Sequence, residues 1–187
     1  MGVGFNTGRP EWVQIKNISD SSIDLSDYAI GDEETQGAGE GMEMLPNISL
    51  PSETLLTMRI REDGVWSYTS QPDPTYCWGS CSGYTSLTDY DDWATGTGNL
   101  ALNDEIILLK TNGGQGDIDG TNDDQVIDAV CWGSGQSYVD MNGNGSQGVF
   151  DPDILVDGCL SGTTNGSYTR NNDTDTDTKA DWQDNPT

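Results

Sequence analysis

The sequence predicts an all-β protein, a β-sandwich with hairpin and Greek-key connections that carries two long loop insertions. Three observations support this prediction. Short alternating or apolar runs bounded by Gly, Pro, Asn and Asp recur along the chain. Helical periodicity is nearly absent. Glycine is abundant, with 24 residues, while six Trp and seven Tyr argue against a disordered composition.

The candidate strands follow one another at a spacing typical of a sandwich. In the first, residues 11–17, the alternation places Val13 and Ile15 on a core face. The others span residues 23–25, 28–31, 54–60, 105–110, 125–131 and 167–170. Residues 61–98 and 132–165 interrupt this rhythm, and loops of that length are usually functional or locally stapled. We expect one domain over residues 1–187 that contains both insertions.

The formal net charge of -25, from 32 acidic and 7 basic residues, argues against two classes of partner. Such a surface repels nucleic acid phosphates and anionic lipid headgroups. Because the sequence has no run of about 18 apolar residues and no positively charged apolar leader, we expect neither membrane insertion nor a signal peptide. Aspartate outnumbers glutamate by 24 to 8, which is typical of turns and calcium loops or of a protein from a saline host.

Four cysteines, Cys77, Cys81, Cys131 and Cys159, allow three complete pairings. The chain has no histidine, and a C-x3-C step followed by two distant cysteines is a poor pattern for tetrahedral zinc. We therefore predict disulfides, with buried free thiols and a zinc site as the alternatives. The shortest loops would join Cys77 to Cys81 and Cys131 to Cys159. Two bridges would indicate an exported protein.

One loop has the ligand spacing of a calcium site. The segment "DMNGNGSQGVFD" matches the pattern D-x-[DN]-x-[DN]-G-x5-E at every position except the last. Its oxygen ligands would come from Asp140, Asn142, Asn144 and Asp151. We predict calcium as the cofactor, held by this loop on a β-scaffold. A Gly- and Asn-rich turn without a metal is the alternative.

A second acidic stretch, residues 116–134, matches the calcium pattern less well. Its glycine, Gly120, comes two places too early. The candidate ligands there are Asp117, Asp119, Asp123 and Asp124. The alternative is an acidic hairpin turn between two strands. Asp128, within the strand that follows, is expected to face solvent or to pair across strands.

A third acidic tract lies near the end of the sequence. Its carboxylates are Asp173, Asp175, Asp177, Asp181 and Asp184. The tract has no glycine, which weakens a calcium assignment. The alternative is a terminal strand and tail whose threonine and aspartate side chains remain hydrated.

The first insertion is rich in aromatic side chains among Ser, Thr and Asp. Such mixtures form contact platforms for carbohydrate or protein surfaces, and a satellite core over the sandwich is the alternative. The candidate ligand-contact residues are Trp66, Tyr68, Trp78, Tyr84 and Trp93. No enzyme activity is predicted, because a chain without histidine has no Ser-His-Asp or Cys-His device and its carboxylates show no specific pattern.

Several segments resemble the lamin tail domain family. "EWVQIKNISDSSIDLSDYAIGDEE" is similar to the family's opening, an E-aromatic-x-x-I-x-N strand, a polar turn and a D-L-S-aromatic strand. "LPNISLPSETLLTM", "NLALNDEIILLKTNGGQ" and "QVIDAVCW" are similar to its third element, its L-x-N-x-x-D-x-I-x-L-x-D-x-x-G hairpin and the strand after that hairpin. "GSYTRNNDTDTDTKADWQDNPT" resembles the closing aromatic-x-R-x-x-D...D-W/F segment.

The resemblance covers residues 10–60, 98–132 and 166–187 and implies an immunoglobulin-like β-sandwich without a catalytic residue. Bacterial members of the family occur in secreted or surface proteins beside other domains, so it also implies an extracellular or cell-surface module. We therefore expect a calcium-stabilised module for adhesion, binding or scaffolding, whose partners are a protein or carbohydrate surface and other domains of the same parent chain. The alternatives are a carbohydrate- or protein-recognition module and an accessory domain of a larger secreted hydrolase.

Overall fold

The computed structural model describes residues 2–5, 12–31, 42–59, 76–78, 85–87, 104–110, 125–133, 159–161, 166–171, 173, 176 and 178–186. Within these residues the chain is mostly strand, and its helical content is a single 3-10 turn, Lys179–Asp181. No helix in this part of the chain has the length and apolar character needed to cross a membrane. The predicted all-β character is confirmed for the described residues.

The strands are short, and every strand predicted from the sequence is present with each end within one residue. In chain order they are β1 (Gly2–Phe5), β2 (Trp12–Lys16), β3 (Ile23–Asp24), β4 (Tyr28–Gly31), β5 (Met42–Met44), β6 (Ser49–Leu50), β7 (Leu55–Arg59), β8 (Tyr76–Trp78), β9 (Thr85–Leu87), β10 (Asp104–Lys110), β11 (Gln125–Trp132), β12 (Gly166–Arg170) and β13 (Trp182–Pro186). The strands β1, β5, β6, β8 and β9 were not predicted, because segments of two to four residues are too short to show an alternating pattern.

The strands form one large sheet, one smaller sheet and a short ribbon. The large sheet has the order β13-β12-β1-β2-β7-β8-β9, antiparallel from β13 to β7 and parallel at β8 and β9. The smaller, antiparallel sheet has the order β11-β10-β4-β5, and β3 pairs with β6. Because β8 and β9 lie within residues 61–98, the first insertion extends the large sheet.

Buried apolar side chains from both sheets belong to one hydrophobic cluster. Val13 and Ile15 of β2 are 0% and 4% exposed, which confirms the core face predicted from the alternation. Four successive residues of β10, Ile106 to Leu109, are buried, so this strand is covered on both of its faces. Each such side chain contributes about 1.5–3 kcal/mol when it is fully removed from water.

The face of β2 opposite Val13 is covered at one end and open at the other. Trp12 pairs with Arg59 across β2 and β7, and both side chains are buried. Four residues further along, Lys16 pairs with Leu55, whose side chain is exposed. The large sheet therefore opens to solvent at its Lys16 end, and the candidate site lies there.

Candidate functional site

A disulfide anchors a short segment, residues 159–161, against the edge of the smaller sheet. The Cα atoms of Cys131 and Cys159 are 4.8 Å apart, a normal disulfide separation, and this pairing confirms one of the two predicted from loop length. The Leu160 N–H donates to the Cys131 carbonyl at 2.9 Å, and the Gly133 N–H donates to the Leu160 carbonyl at 3.0 Å. Gly133 has a φ of 116°, which residues with a Cβ atom adopt only at a cost.

Tyr168 holds the same segment from the large sheet. Its hydroxyl donates to the Ser161 carbonyl at 2.5 Å, and its ring centroid lies 6.4 Å from that of Trp132. Tyr168 belongs to β12 and Trp132 to β11, so these contacts join strands of different sheets. The 159–161 segment is therefore bound to β11 by a disulfide and backbone bonds, and to β12 by a tyrosine hydroxyl.

A cleft of about 320 Å³ lies where β2, β11 and β12 approach one another. Its apolar lining comprises Ile15, Ile18, Leu55, Leu108 and Ile127. Ile18, Leu55 and Ile127 are 56%, 55% and 40% exposed, and among the described residues they are all of the large apolar side chains that are exposed. Single exposed apolar residues are ordinary, but their concentration in one concave site is typical of an interaction surface.

An ion pair between the two sheets borders the cleft. Arg170 Nη2 on β12 lies 2.5 Å from Asp128 Oδ1 on β11, and the side chains are only 13% and 14% exposed. The register between β10 and β11 shifts so that Ile127 is an extra residue in β11, a β-bulge. A bulge changes the direction of the neighbouring side chains, and here it leaves Ile127 exposed in the cleft and Asp128 opposite Leu108. Asp128 is therefore paired, which is one of its two predicted outcomes.

Two residues near the end of the sequence, Asp181 and Trp182, contact Arg170. The guanidinium carbon lies 4.9 Å from the centroid of the Trp182 ring, within the range of a cation-π contact. Arg170 Nη1 lies 3.7 Å from Asp181 Oδ2, a second and longer ion pair. Arg170 is the arginine of the aromatic-x-R pattern, and Asp181 and Trp182 form its D-W end. The spacing of these three residues in sequence is thus explained by one contact cluster between β12 and β13.

The Asp181 carboxylate is almost entirely enclosed. Its Oδ2 accepts the Thr176 N–H at 2.8 Å and the Thr178 N–H at 3.3 Å, and its Oδ1 accepts the Thr176 hydroxyl at 2.8 Å. Burial opposes ionisation, but these hydrogen bonds and the charge of Arg170 together hold the pKa of Asp181 below its usual value. The terminal strand predicted for this tract is confirmed as β13, whereas the prediction that its aspartates remain hydrated is wrong for Asp181, because this carboxylate caps the turn that precedes the strand.

A second group of charges spans the outer side of the cleft. Lys16 Nζ lies 2.7 Å from Asp173 Oδ2 and 2.8 Å from Glu53 Oε2. The hydrogen bond to Asp173, and after it the one to Glu53, raises the pKa of Lys16. Both carboxylates are more than half exposed, so water screens these pairs and each contributes little to stability. They link β2 to the segment that follows β12.

Asn17 fixes the turn that carries Ile18 at the edge of the cleft. Its amide nitrogen donates to the carbonyls of Ser21 and Leu50 at 2.8 and 2.9 Å. Its amide oxygen accepts the N–H and the hydroxyl of Ser19 at 3.0 and 2.7 Å. The side chain is buried and makes four hydrogen bonds, so Asn17 satisfies polar groups that the turn would otherwise leave unpaired. Asn17 is the asparagine of the E-aromatic-x-x-I-x-N pattern.

Most of the site residues predicted from the sequence lie outside the described residues. These are the calcium candidates of both loops, the cysteine near β8 and four of the aromatic residues: Asp117, Asp119, Asp123, Asp124, Asp140, Asn142, Asn144, Asp151, Cys81, Trp66, Tyr68, Tyr84 and Trp93. Cys77 and Trp78 lie in β8, for which only the backbone is described. Across the described part of the chain, no group of three or more Asp, Glu, Cys or His side chains is arranged to hold a metal ion.

Sequence reasoning did not find the cleft. An exposed isoleucine or leucine is uninformative in one dimension, and Ile18, Leu55 and Ile127 are far apart in the chain. The sequence around Arg170 did contain an indication of the ion pairs. This arginine lies between an aromatic residue and a later Asp-Trp pair, and a buried arginine requires a carboxylate or aromatic partner. That indication would have located the ion pairs but not the apolar residues beside them.

No family model matches this chain, and neither a curated protein nor a solved structure matches it. The resemblance to the lamin tail family therefore remains a prediction from the quoted segments. Function has to be argued from the chemistry of the site, because a fold alone does not determine it.

Proposed function

We propose that this chain is a non-catalytic β-sandwich module of a secreted or cell-surface bacterial protein, and that it binds a polypeptide partner in the cleft between β2, β11 and β12. One observation carries the proposal: Ile18, Leu55 and Ile127 are exposed and line one concave site. The charged side chains beside them, Lys16 and Arg170, are already held by carboxylates. Such a site offers apolar contacts within a charged border, which suits recognition of side chains better than proton transfer.

An immunoglobulin-like arrangement of the two sheets is part of this proposal. It is supported by the single hydrophobic cluster and by two contacts between the same strands, Trp132 with Tyr168 and Asp128 with Arg170. A tyrosine hydroxyl bonded to a main-chain carbonyl a few residues upstream, as in Tyr168 to Ser161, is a feature of immunoglobulin-type sandwiches. An experimental structure in which β11 and β12 do not face each other would contradict the arrangement.

The extracellular location is supported by the Cys131–Cys159 disulfide. This disulfide links β11 to the 159–161 segment within the core cluster. Structural disulfides persist in oxidising compartments and are rare in the reducing cytosol. Thiol titration of the natively expressed protein after denaturation tests the location, since free thiols at Cys131 and Cys159 would contradict export.

Calcium binding is the second part of the proposal and rests on the spacing of Asp140, Asn142, Asn144 and Asp151. We expect millimolar calcium to raise the melting temperature of the wild type and EDTA to lower it. The substitutions Asp140→Asn and Asp151→Asn should abolish this response, because they remove the two carboxylates of the loop.

Two comparisons make the calcium test specific. Asp20→Asn removes the same charge as either loop substitution alone, at an exposed position outside the candidate loops, and it should respond to calcium like the wild type. A matched pair of substitutions, Asp117→Asn and Asp119→Asn, reports on the second acidic loop. If the wild type shows no shift in calcium, the metal part of the proposal is wrong while the cleft is unaffected.

Selection from a random-peptide display library tests polypeptide binding by the cleft. We expect the wild type to enrich binding clones, and the variants Ile18→Asp and Ile127→Asp to lose them because a carboxylate in the apolar lining must be desolvated. Asn47→Asp adds the same charge at an exposed position outside the cleft and should keep the enrichment. Equal enrichment by the cleft variants, or none by the wild type, would overturn the proposed function.

A further inference from the structure

The exposed charges beside the cleft are mainly negative. Lys16 and Arg170, the two basic residues that line the cleft, are only 25% and 13% exposed. The carboxylates that pair with Lys16 are 56% exposed at Asp173 and 61% exposed at Glu53. A partner that approaches the cleft from solvent therefore meets these carboxylates, while the cations are largely covered.

Asp173 and Glu53 share the single ammonium group of Lys16. Asp173 Oδ2 and Glu53 Oε2 lie 2.7 and 2.8 Å from the same Nζ atom, so the three side chains together carry one excess negative charge. An ionised carboxylate accepts hydrogen bonds through both of its oxygens, and each of these contacts to Nζ uses one of them. Two neighbouring carboxylates are therefore able to accept further donors from a partner.

An exposed apolar side chain lies next to this acidic group. Leu55 pairs with Lys16 across β2 and β7 and follows Glu53 by two residues in the chain. Its side chain is 55% exposed and lines the cleft. A partner residue that packs on Leu55 therefore brings the residues one or two positions along its own chain beside the carboxylates.

The charge of the whole chain narrows the class of partner. With 32 acidic and 7 basic residues, the chain has a formal net charge of -25. Its field repels a second copy of the chain, nucleic acid and anionic lipid, and it attracts cationic segments. The net charge of the chain and the exposed carboxylates beside the cleft therefore favour the same partner, a basic polypeptide.

We propose that the cleft binds a cationic segment of a partner protein, in which an arginine or lysine lies within two residues of an aliphatic side chain. This inference rests on the proposed function and specifies the chemistry of the partner. The aliphatic side chain packs on Ile18, Leu55 and Ile127. The basic side chain donates to Asp173 and Glu53, and arginine suits this position better than lysine because its planar group presents several donors at once.

The composition of the clones from the random-peptide display selection tests this inference. The selection is made at about 50 mM salt, where exposed charges are weakly screened, and the clones that fail to bind Ile127→Asp are taken as cleft binders. We expect these clones to carry an arginine or lysine within two residues of Ile, Leu or Val more often than the unselected library does. The double variant Glu53→Gln with Asp173→Asn should bind them about three- to tenfold more weakly, the effect of one or two exposed ion pairs.

A matched control separates the cleft from the overall charge of the chain. The double variant Asp24→Asn with Asp27→Asn also removes two carboxylates, both at exposed positions outside the cleft lining. It should bind the same clones as tightly as the wild type does. Circular dichroism and melting temperature confirm that each variant is folded.

Each contrary result has a defined meaning. Cleft-binding clones without an excess of basic residues overturn the cationic partner and leave the proposed function in place. Equal weakening by the control and by Glu53→Gln with Asp173→Asn also overturns it, because the attraction then comes from the net charge of the chain. If the wild type enriches no clones at all, the proposed function is wrong and this inference falls with it.

Discussion

The ion pair between Asp128 and Arg170 provides the strongest test of how the two sheets are held together. Its side chains are 14% and 13% exposed, so it is closer to a buried pair than to a surface pair. Removing one partner of a buried pair costs about 3–5 kcal/mol, because the remaining charge is left unpaired in a region with little water. Arg170 retains Asp181 at 3.7 Å, which lowers the expected cost of Asp128→Ala to about 2–3 kcal/mol.

A double-mutant cycle with Asp128→Ala, Arg170→Met and the double variant measures the pair itself. The double variant should be more stable than the sum of the single effects indicates, with a coupling free energy of about 1.5–3 kcal/mol. Urea unfolding of the oxidised protein supplies the free energies. In a chain of this length, each kcal/mol also corresponds to about 2–4 °C in melting temperature.

The control for this cycle is Asp173→Ala, which removes a carboxylate from the exposed pair with Lys16. That change should cost no more than about 0.5 kcal/mol, because water screens the interaction. Asp128→Ala could instead cost as little as Asp173→Ala, or the coupling free energy could be below about 0.5 kcal/mol. Either result would show that the inter-sheet pair is no stronger than a surface pair, and its burial would then not stabilise the protein as expected.

Four further predictions concern the groups that position the site. Asn17→Ala should destabilise the protein by about 1–3 kcal/mol in urea unfolding, because the buried Leu50 carbonyl loses the Asn17 amide and the turn loses three further hydrogen bonds; a cost below about 0.5 kcal/mol would contradict the role given to its side chain. Cys131→Ala with Cys159→Ala opens a loop whose ends are 28 residues apart and should cost about 3–4 kcal/mol, whereas an unchanged free energy of unfolding would show that the bridge constrains nothing. Since the pKa of Asp181 in the folded state is below its unfolded value of about 3.9, its contribution to stability is present above that pH and is lost as the pH falls through the folded value. Melting temperatures of Asp181→Asn should therefore decline less steeply than those of the wild type below about pH 4, and parallel curves would exclude this carboxylate as a source of the acid sensitivity. Tyr168→Phe removes one hydrogen bond to the Ser161 carbonyl and should cost about 1 kcal/mol, with a larger loss indicating that the ring itself has moved.

The positions of the longer strands could be predicted from the sequence because the periodicity of a strand is local. The alternation in residues 11–17 determines which side chains of β2 face a core, and Val13 and Ile15 are buried as expected. The Cys131–Cys159 pairing also followed from a one-dimensional argument, loop length. The predictions for the two calcium loops and for four of the five aromatic residues fall outside the described residues and remain predictions.

The site itself depended on the tertiary structure, because its parts come from segments that are far apart in the sequence. Lys16 and Asp173 are 157 residues apart, and Asp128 and Arg170 are 42 residues apart. Nothing in the sequence of β11 indicates that Ile127 is a bulge residue, since that depends on the register with β10. Local periodicity therefore determined which residues are strands and which faces are apolar. The pairing order of the strands and the packing of the two sheets decided that β2, β11 and β12 lie beside one another, and the cleft lies where they meet.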